Sequence, residues 1–175
     1  VLSPFWRTQK LNARDEQAIL REFGGLIPVF DHRFRMERML YDDRIASAER
    51  VATLADGREL ARAFTAVARN ERNAGELLDL VPEAQRSAAY IFARARHLRR
   101  TGKYEEAATA MLSAPTDASL LVDPDAWWIE RRVLSREMLD LGDPETAYKL
   151  AAAHAAESPA QAADVRDAAG EPVAR

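Results

Sequence analysis

The chain has 175 residues, 47% hydrophobic and 30% charged, with a formal net charge of −3, which is the make-up of one folded domain rather than a disordered chain. It has no cysteine, which excludes disulfides, thiolate catalysis and cysteine zinc sites. No run of about 18 apolar residues is present, so no membrane-spanning helix is expected. Residues 1–103 carry 19 basic and 14 acidic residues, and residues 104–175 carry 6 and 14. Arginine spread along amphipathic helices reads first as a solvated face, so this imbalance does not by itself imply a nucleic-acid partner.

In chain order, residues 1–12 read as an irregular lead-in anchored by Phe5-Trp6, with no basic and then apolar stretch of a signal peptide. A first helix is expected over 13–23, through Ala18, Ile19 and Phe23, ended by Gly24-Gly25. The second runs from Pro28 to Tyr41. It places Phe30, Phe34 and Tyr41 on one face and Val29, Met36 and Leu40 on another. The third, 45–55, packs through Ile45, Ala48, Val51, Ala52 and Ala55. After the turn Asp56-Gly57 the fourth, 59–70, shows Leu60, Ala61, Phe64, Val67 and Ala68 opposite Arg58, Arg62 and Arg69. A short fifth helix, 74–80, precedes Pro82. The sixth, 84–101, buries Ala88, Ile91, Phe92, Ala95 and Leu98. The seventh, 104–112, buries Tyr104, Ala107, Ala108, Met111 and Leu112.

A linker, 113–123, leads to the most organised stretch, Asp125 to Ala152. It reads as two antiparallel helices around Gly142, a residue suited to the left-handed position past a helix end. Asp143 is expected to cap the following helix, with Pro144 at its first position. On the first of the two, Ala126, Trp127, Ile129, Val133, Leu134, Met138 and Leu141 form a broad apolar arc. Trp128 and Leu139 lie outside it, and Arg132, Arg136 and Asp140 make the polar stripe. Trp127 is expected in the core. The second helix is expected to end near Ala156, followed by an Ala-rich helix from Ser158-Pro159 and a frayed tail at 170–175.

No segment alternates as a strand would, so the chain is expected to be all-α. A repeat underlies the helices. Gly102-Lys103-Tyr104-Glu105-Glu106-Ala107 and Gly142-Asp143-Pro144-Glu145-Thr146-Ala147 share a glycine followed five residues later by alanine, and Asp43 to Ala48 is a degenerate copy. Each lies between the helices of a pair. A unit of about 30–40 residues repeated about four times predicts a right-handed superhelical solenoid of antiparallel helix pairs over 1–169, similar to divergent tetratricopeptide repeats.

Candidate chemistry is sparse. His32, His97 and His154 fall on different helices without a ligand pair, so no metal site is expected. There is no phosphate loop, nucleophile elbow or zinc-protease motif, and no cofactor is implied. Arg94, Arg96, Arg99, Arg100 and Lys103 cluster late in the sixth helix, where positive charge complements the helix dipole. They lack the aromatic interleaving of a nucleic-acid surface. Glu130 and Glu137 fall within the apolar arc, and each is expected to pair with an arginine from a neighbouring helix rather than act as a glycosidase pair.

The stretch Pro124-Asp125-Ala126-Trp127-Trp128-Ile129-Glu130-Arg131-Arg132, continued by Leu139 to Ala152, resembles the soluble lytic murein transglycosylases in the superhelical region ahead of their catalytic domain. Phe23-Gly24-Gly25-Leu26, Asp31-His32-Arg33, Met39-Leu40 and the turn at Gly102 add to the resemblance, which covers about residues 5–164. It implies a periplasmic protein whose helical region holds or guides peptidoglycan glycan strands, while a separate lysozyme-like domain cleaves them to anhydro-muramoyl ends. That domain carries its catalytic glutamate in a Glu-Ser motif followed by Gly-Leu-Met-Gln. Glu157-Ser158 is here followed by Pro159 and no Gly-Leu-Met-Gln, so it reads as a chance dipeptide. The catalytic domain is therefore expected to be absent from this sequence and the chain alone to be inactive, with no catalytic residue assigned. The alternative expectation is a free-standing tetratricopeptide-like scaffold that binds a protein.

Overall fold

A computed structural model describes residues 2–153. Among the described residues there are eleven α-helices, two short 3₁₀ turns and no strand. The helices are α1 (Leu2–Thr8), α2 (Ala13–Phe23), α3 (Val29–Tyr41), α4 (Ile45–Ala52), α5 (Arg58–Ala68), α6 (Ala74–Asp79), α7 (Ala88–Arg100), α8 (Tyr104–Leu112), α9 (Ala118–Leu121), α10 (Pro124–Asp140) and α11 (Pro144–Ala152). The all-helical expectation therefore holds there. The expected last helix and tail lie outside the described residues.

Four neighbouring pairs pack most extensively: α3 on α4, α5 on α6, α7 on α8, and α10 on α11. Between pairs, α5 touches α3, α4 and α7, while α10 touches α7 and α8. One backbone device closes the first helix of every pair. Gly102 and Gly142 have φ of 79° and 81°, and Asp43 and Asn70 adopt 55° and 54°. Each sits at a turn with the two hydrogen bonds of a Schellman motif. At Gly142 these run from Asp143 N to Met138 O and from Gly142 N to Leu139 O, both 2.9 Å. The same pair of bonds closes α3, α5 and α7, and also α4, where Asp56 has φ 49°. Five residues after four of these turns stands an alanine, Ala48, Ala61, Ala107 and Ala147, each buried. A methyl group there lets the following helix approach closely. The turn at Asn70 runs two residues longer before α6 begins, which hides it in the sequence.

Several expectations need correction. The lead-in is a helix, α1. Its Trp6 is fully buried, and Arg35 from α3 donates to Trp6 O at 2.6 Å and Gln9 O at 2.8 Å. A distant guanidinium thus satisfies carbonyls at the end of a short helix. On α2, Ala18 and Phe23 are exposed and Ile19 half-buried, while Glu16 is buried against Arg35 and Arg50. On α3, Phe30 and Val29 face solvent. The buried stripe is Asp31, His32, Arg35, Met36, Glu37, Met39 and Leu40, at helical spacing but half polar. The sixth expected helix starts later, at Ala88, after a 3₁₀ turn at Glu83–Gln85. There Gln85 Oε1 accepts from Leu60 N at 3.1 Å, capping α5. The linker 113–123 contains α9. On α10, Ile129 and Leu141 are exposed; the buried face is Trp127, Trp128, Glu130, Arg131, Leu134, Ser135 and Met138. Asp143 caps α11 through Thr146 N at 3.0 Å, with Pro144 at its first position, as expected.

Trp127 lies in the core. It packs on Phe92 at 5.3 Å between ring centroids, and its indole N–H donates to Tyr41 Oη at 3.0 Å. Trp127→Ala should cost about 3–5 kcal/mol of unfolding free energy by loss of a large buried side chain. Denaturant titration against the parent checks this, and an unchanged midpoint would contradict the core assignment.

At the turns, Gly142→Ala should destabilise by about 1 kcal/mol, because a Cβ is strained at positive φ although nothing crowds it. Asp56→Gly should do the opposite by up to about 1 kcal/mol. Paired thermal melts of the two variants test the sign.

Candidate functional site

The first helices of the four pairs, α3, α5, α7 and α10, contribute the rings of an aromatic cluster. Tyr41 lies 5.3 Å from Phe64 and 5.1 Å from Phe92, both edge-on; Phe64 stacks on Phe92 at 5.9 Å, and Phe92 leans on Trp127. Edge and offset contacts suit the ring quadrupoles. Burial, with the charge of Glu37 behind it, raises the Tyr41 phenol well above its ordinary range, so it stays a neutral acceptor for the Trp127 indole.

Around the cluster lies a shell of buried ionisable groups. Glu37 on α3 is 5% exposed and accepts from Ser87 Oγ at 2.7 Å. Burial raises its pKa, opposed by the Ser87 hydrogen bond and by Arg33. A carboxyl raised by burial is the kind of group that catalysis recruits as an acid. Glu37 is buried and its carboxylate is engaged by Ser87 at the start of α7, so it reads as a packed hydrogen-bonding group.

Glu130 on α10 is 2% exposed. Arg99 Nε donates to its Oε1 at 2.5 Å, and Arg96 Nε to its Oε2 at 3.0 Å. The expected arginine pairing therefore holds for Glu130. It fails for Glu137, which is half-buried and forms no ion pair among the described residues. Arg131, also 2% exposed, lies 5.7 Å from the centre of the Trp127 ring, and burial lowers its pKa to about 10.

The basic cluster of α7 is divided among local tasks. Arg96 and Arg99 turn inward to Glu130, Arg100 donates to Val67 O at 2.5 Å, Arg94 to Tyr90 Oη at 3.3 Å, and Lys103 lies 3.6 Å from Glu106. It is thus mostly a set of clasps between helices, beyond the expected dipole effect.

His32 is buried with its ring edge-on to Trp6 at 5.6 Å. His97 lines a small cleft with Asp79, Lys103 and Glu106, pressed against Gly75. The two histidines stay apart, and His154 and Glu157 lie outside the described residues. Among the described residues no group of three His, Cys, Asp or Glu side chains could hold a metal, and no helix is long and apolar enough to cross a membrane.

A charged cleft of about 490 Å³ lies along α4, α5 and α6, lined by Arg58, Arg62 and Arg69 together with Glu49 and Glu71. The arginine stripe was legible from helical spacing. The cleft was not, because it depends on how α4 and α6 flank α5. No protein-family model, no curated protein and no solved structure matches this chain.

One pH effect follows from His32. Burial lowers its pKa, Asp31 opposes this, and Arg35 adds to it. The native state thus favours the neutral ring, and below the ordinary histidine pKa the unfolded chain binds the extra proton. His32 therefore contributes stability that is present above about pH 6.5 and lost as pH falls through its lower native pKa. The slope of unfolding free energy between pH 7 and 5 should be shallower in His32→Asn than in the parent, as measured by urea titration at each pH.

Proposed function

We propose that this chain is the non-catalytic superhelical region of a periplasmic soluble lytic murein transglycosylase, framing or binding peptidoglycan while the full-length enzyme cleaves the glycan. The finer architecture belongs to the same proposal: a right-handed stack of helix pairs with tetratricopeptide-like turns. The observation that carries it is the succession of four helix pairs, each with its first helix closed by the same turn. The segment of strongest resemblance, Trp127 to Arg132, supports it. Its Trp127, Glu130 and Arg131 are interior packing groups of that stack rather than a surface motif. The ion pairs of Glu130 and the burial of Glu37 likewise suit a frame, since a reacting glutamate must reach the glycosidic oxygen.

A protein-binding scaffold is the second reading. It is favoured by an apolar group before and at the start of α3, where Leu26 is 75% and Phe30 is 59% exposed. Such contiguous apolar exposure marks interaction surfaces.

The test is incubation of the purified chain with murein sacculi, followed by sedimentation and mass analysis of the soluble products. The chain should sediment with the sacculi and release no anhydro-muropeptides. Failure to sediment would overturn the peptidoglycan reading. Product above a boiled control, abolished by Glu37→Gln or Glu157→Gln, would overturn the non-catalytic assignment.

A further inference from the structure

Most arginine side chains of this protein that face another helix hold a protein acceptor, as Arg35 and Arg50 hold Glu16 and Arg96 and Arg99 hold Glu130. Arg58, Arg62 and Arg69 do not. Their side chains make no hydrogen bond or ion pair among the described residues, yet all three line the same cleft along α5. On a helix these positions lie within about 40° of one another, and about 6 and 10 Å apart along the axis. Glu49 from α4 and Glu71 after α5 stand at the same cleft, and Leu77 of α6 adds an apolar contact.

This arrangement selects a ligand by charge. Guanidinium groups take carboxylates in two-point hydrogen bonds. An extended peptide advances about 3.3 Å per residue, so carboxylates two or three residues apart match neighbouring arginines. The two glutamates would repel a run of phosphates but attract an ammonium group. A neutral sugar chain would leave all five charges unanswered.

We propose that the α4–α5–α6 cleft binds a short peptide carrying at least two free carboxylates and one free ammonium. This rests on the function proposed above, within which it assigns the cleft to the peptide stems of peptidoglycan and not to the glycan.

The experiment is calorimetric titration of the full chain with stem peptides released from sacculi, with the same peptides acetylated on their amine, and with glycan strands stripped of stems. The free stems should bind, more weakly as salt rises. Arg62→Gln and Arg69→Gln should each weaken binding about fivefold, and acetylation or Glu49→Gln should weaken it as well. Thermal unfolding of these surface variants should match the parent, which separates lost binding from lost folding. Stripped glycan bound as well as stems, or stem binding unchanged in the double Arg62→Gln, Arg69→Gln variant, would overturn the cleft assignment and leave the peptidoglycan reading standing. Binding of neither stems nor glycan would overturn both.

Discussion

The fold depends on the contact of four rings, Tyr41, Phe64, Phe92 and Trp127, one from the first helix of each pair. Each helix pair alone buries too little apolar surface to be stable. The rings tie the pairs into one body. The Trp127–Tyr41 hydrogen bond joins the first pair to the fourth directly. It also satisfies two polar atoms that burial would otherwise leave costly.

Two buried carboxylates play a parallel role at the margins of this core. Glu16 receives Arg35 and Arg50, and Glu130 receives Arg96 and Arg99. Desolvating a charge costs several kcal/mol, and only close opposite charge offsets it. Each carboxylate with its two arginines therefore fixes how one helix sits on the next: α2 against α3 and α4, and α10 against α7. Arg35 extends the arrangement by stacking over Trp6 at 4.5 Å and capping α1.

What the sequence made legible was the local part. The helical periods of α4 and α5, the glycines at 102 and 142, and the Asp143-Pro144 start of α11 all carry their cause within a few residues. On α8, Ala107, Ala108 and Met111 are buried as expected, while Tyr104 is half-buried and Leu112 exposed. What it hid was long-range. Glu16, Asp31, Arg35 and Glu37 look like solvent-facing residues because nothing nearby reveals the partners that bury them. The α3 stripe at 32, 35, 36, 39 and 40 had the right spacing, and would have been found by period alone without the requirement that its members be apolar. The turns at Asp43 and Asp56 could be read although Asp stands where glycine is expected, since Asp and Asn tolerate the left-handed conformation better than most residues; the turn at Asn70 was obscured by its longer connection to α6. For the candidate site, the arginine stripe could be read on one helix, whereas the cleft needed three.

The Trp127–Tyr41 hydrogen bond spans 86 residues of chain, while each helix pair is closed by a turn of only a few residues. Closing a short turn costs little chain entropy, and bringing residues 41 and 127 together costs considerably more. The pairs can therefore form early, though only transiently until they pack on one another, and the ring contacts between the first and last of them assemble late. Until then Tyr41, Phe64, Phe92 and Trp127 are presented to solvent on partly folded chains. The vulnerable stage in making this protein is thus the interval before the fourth pair arrives, when the same rings that will unify the molecule are free to find those of a neighbour.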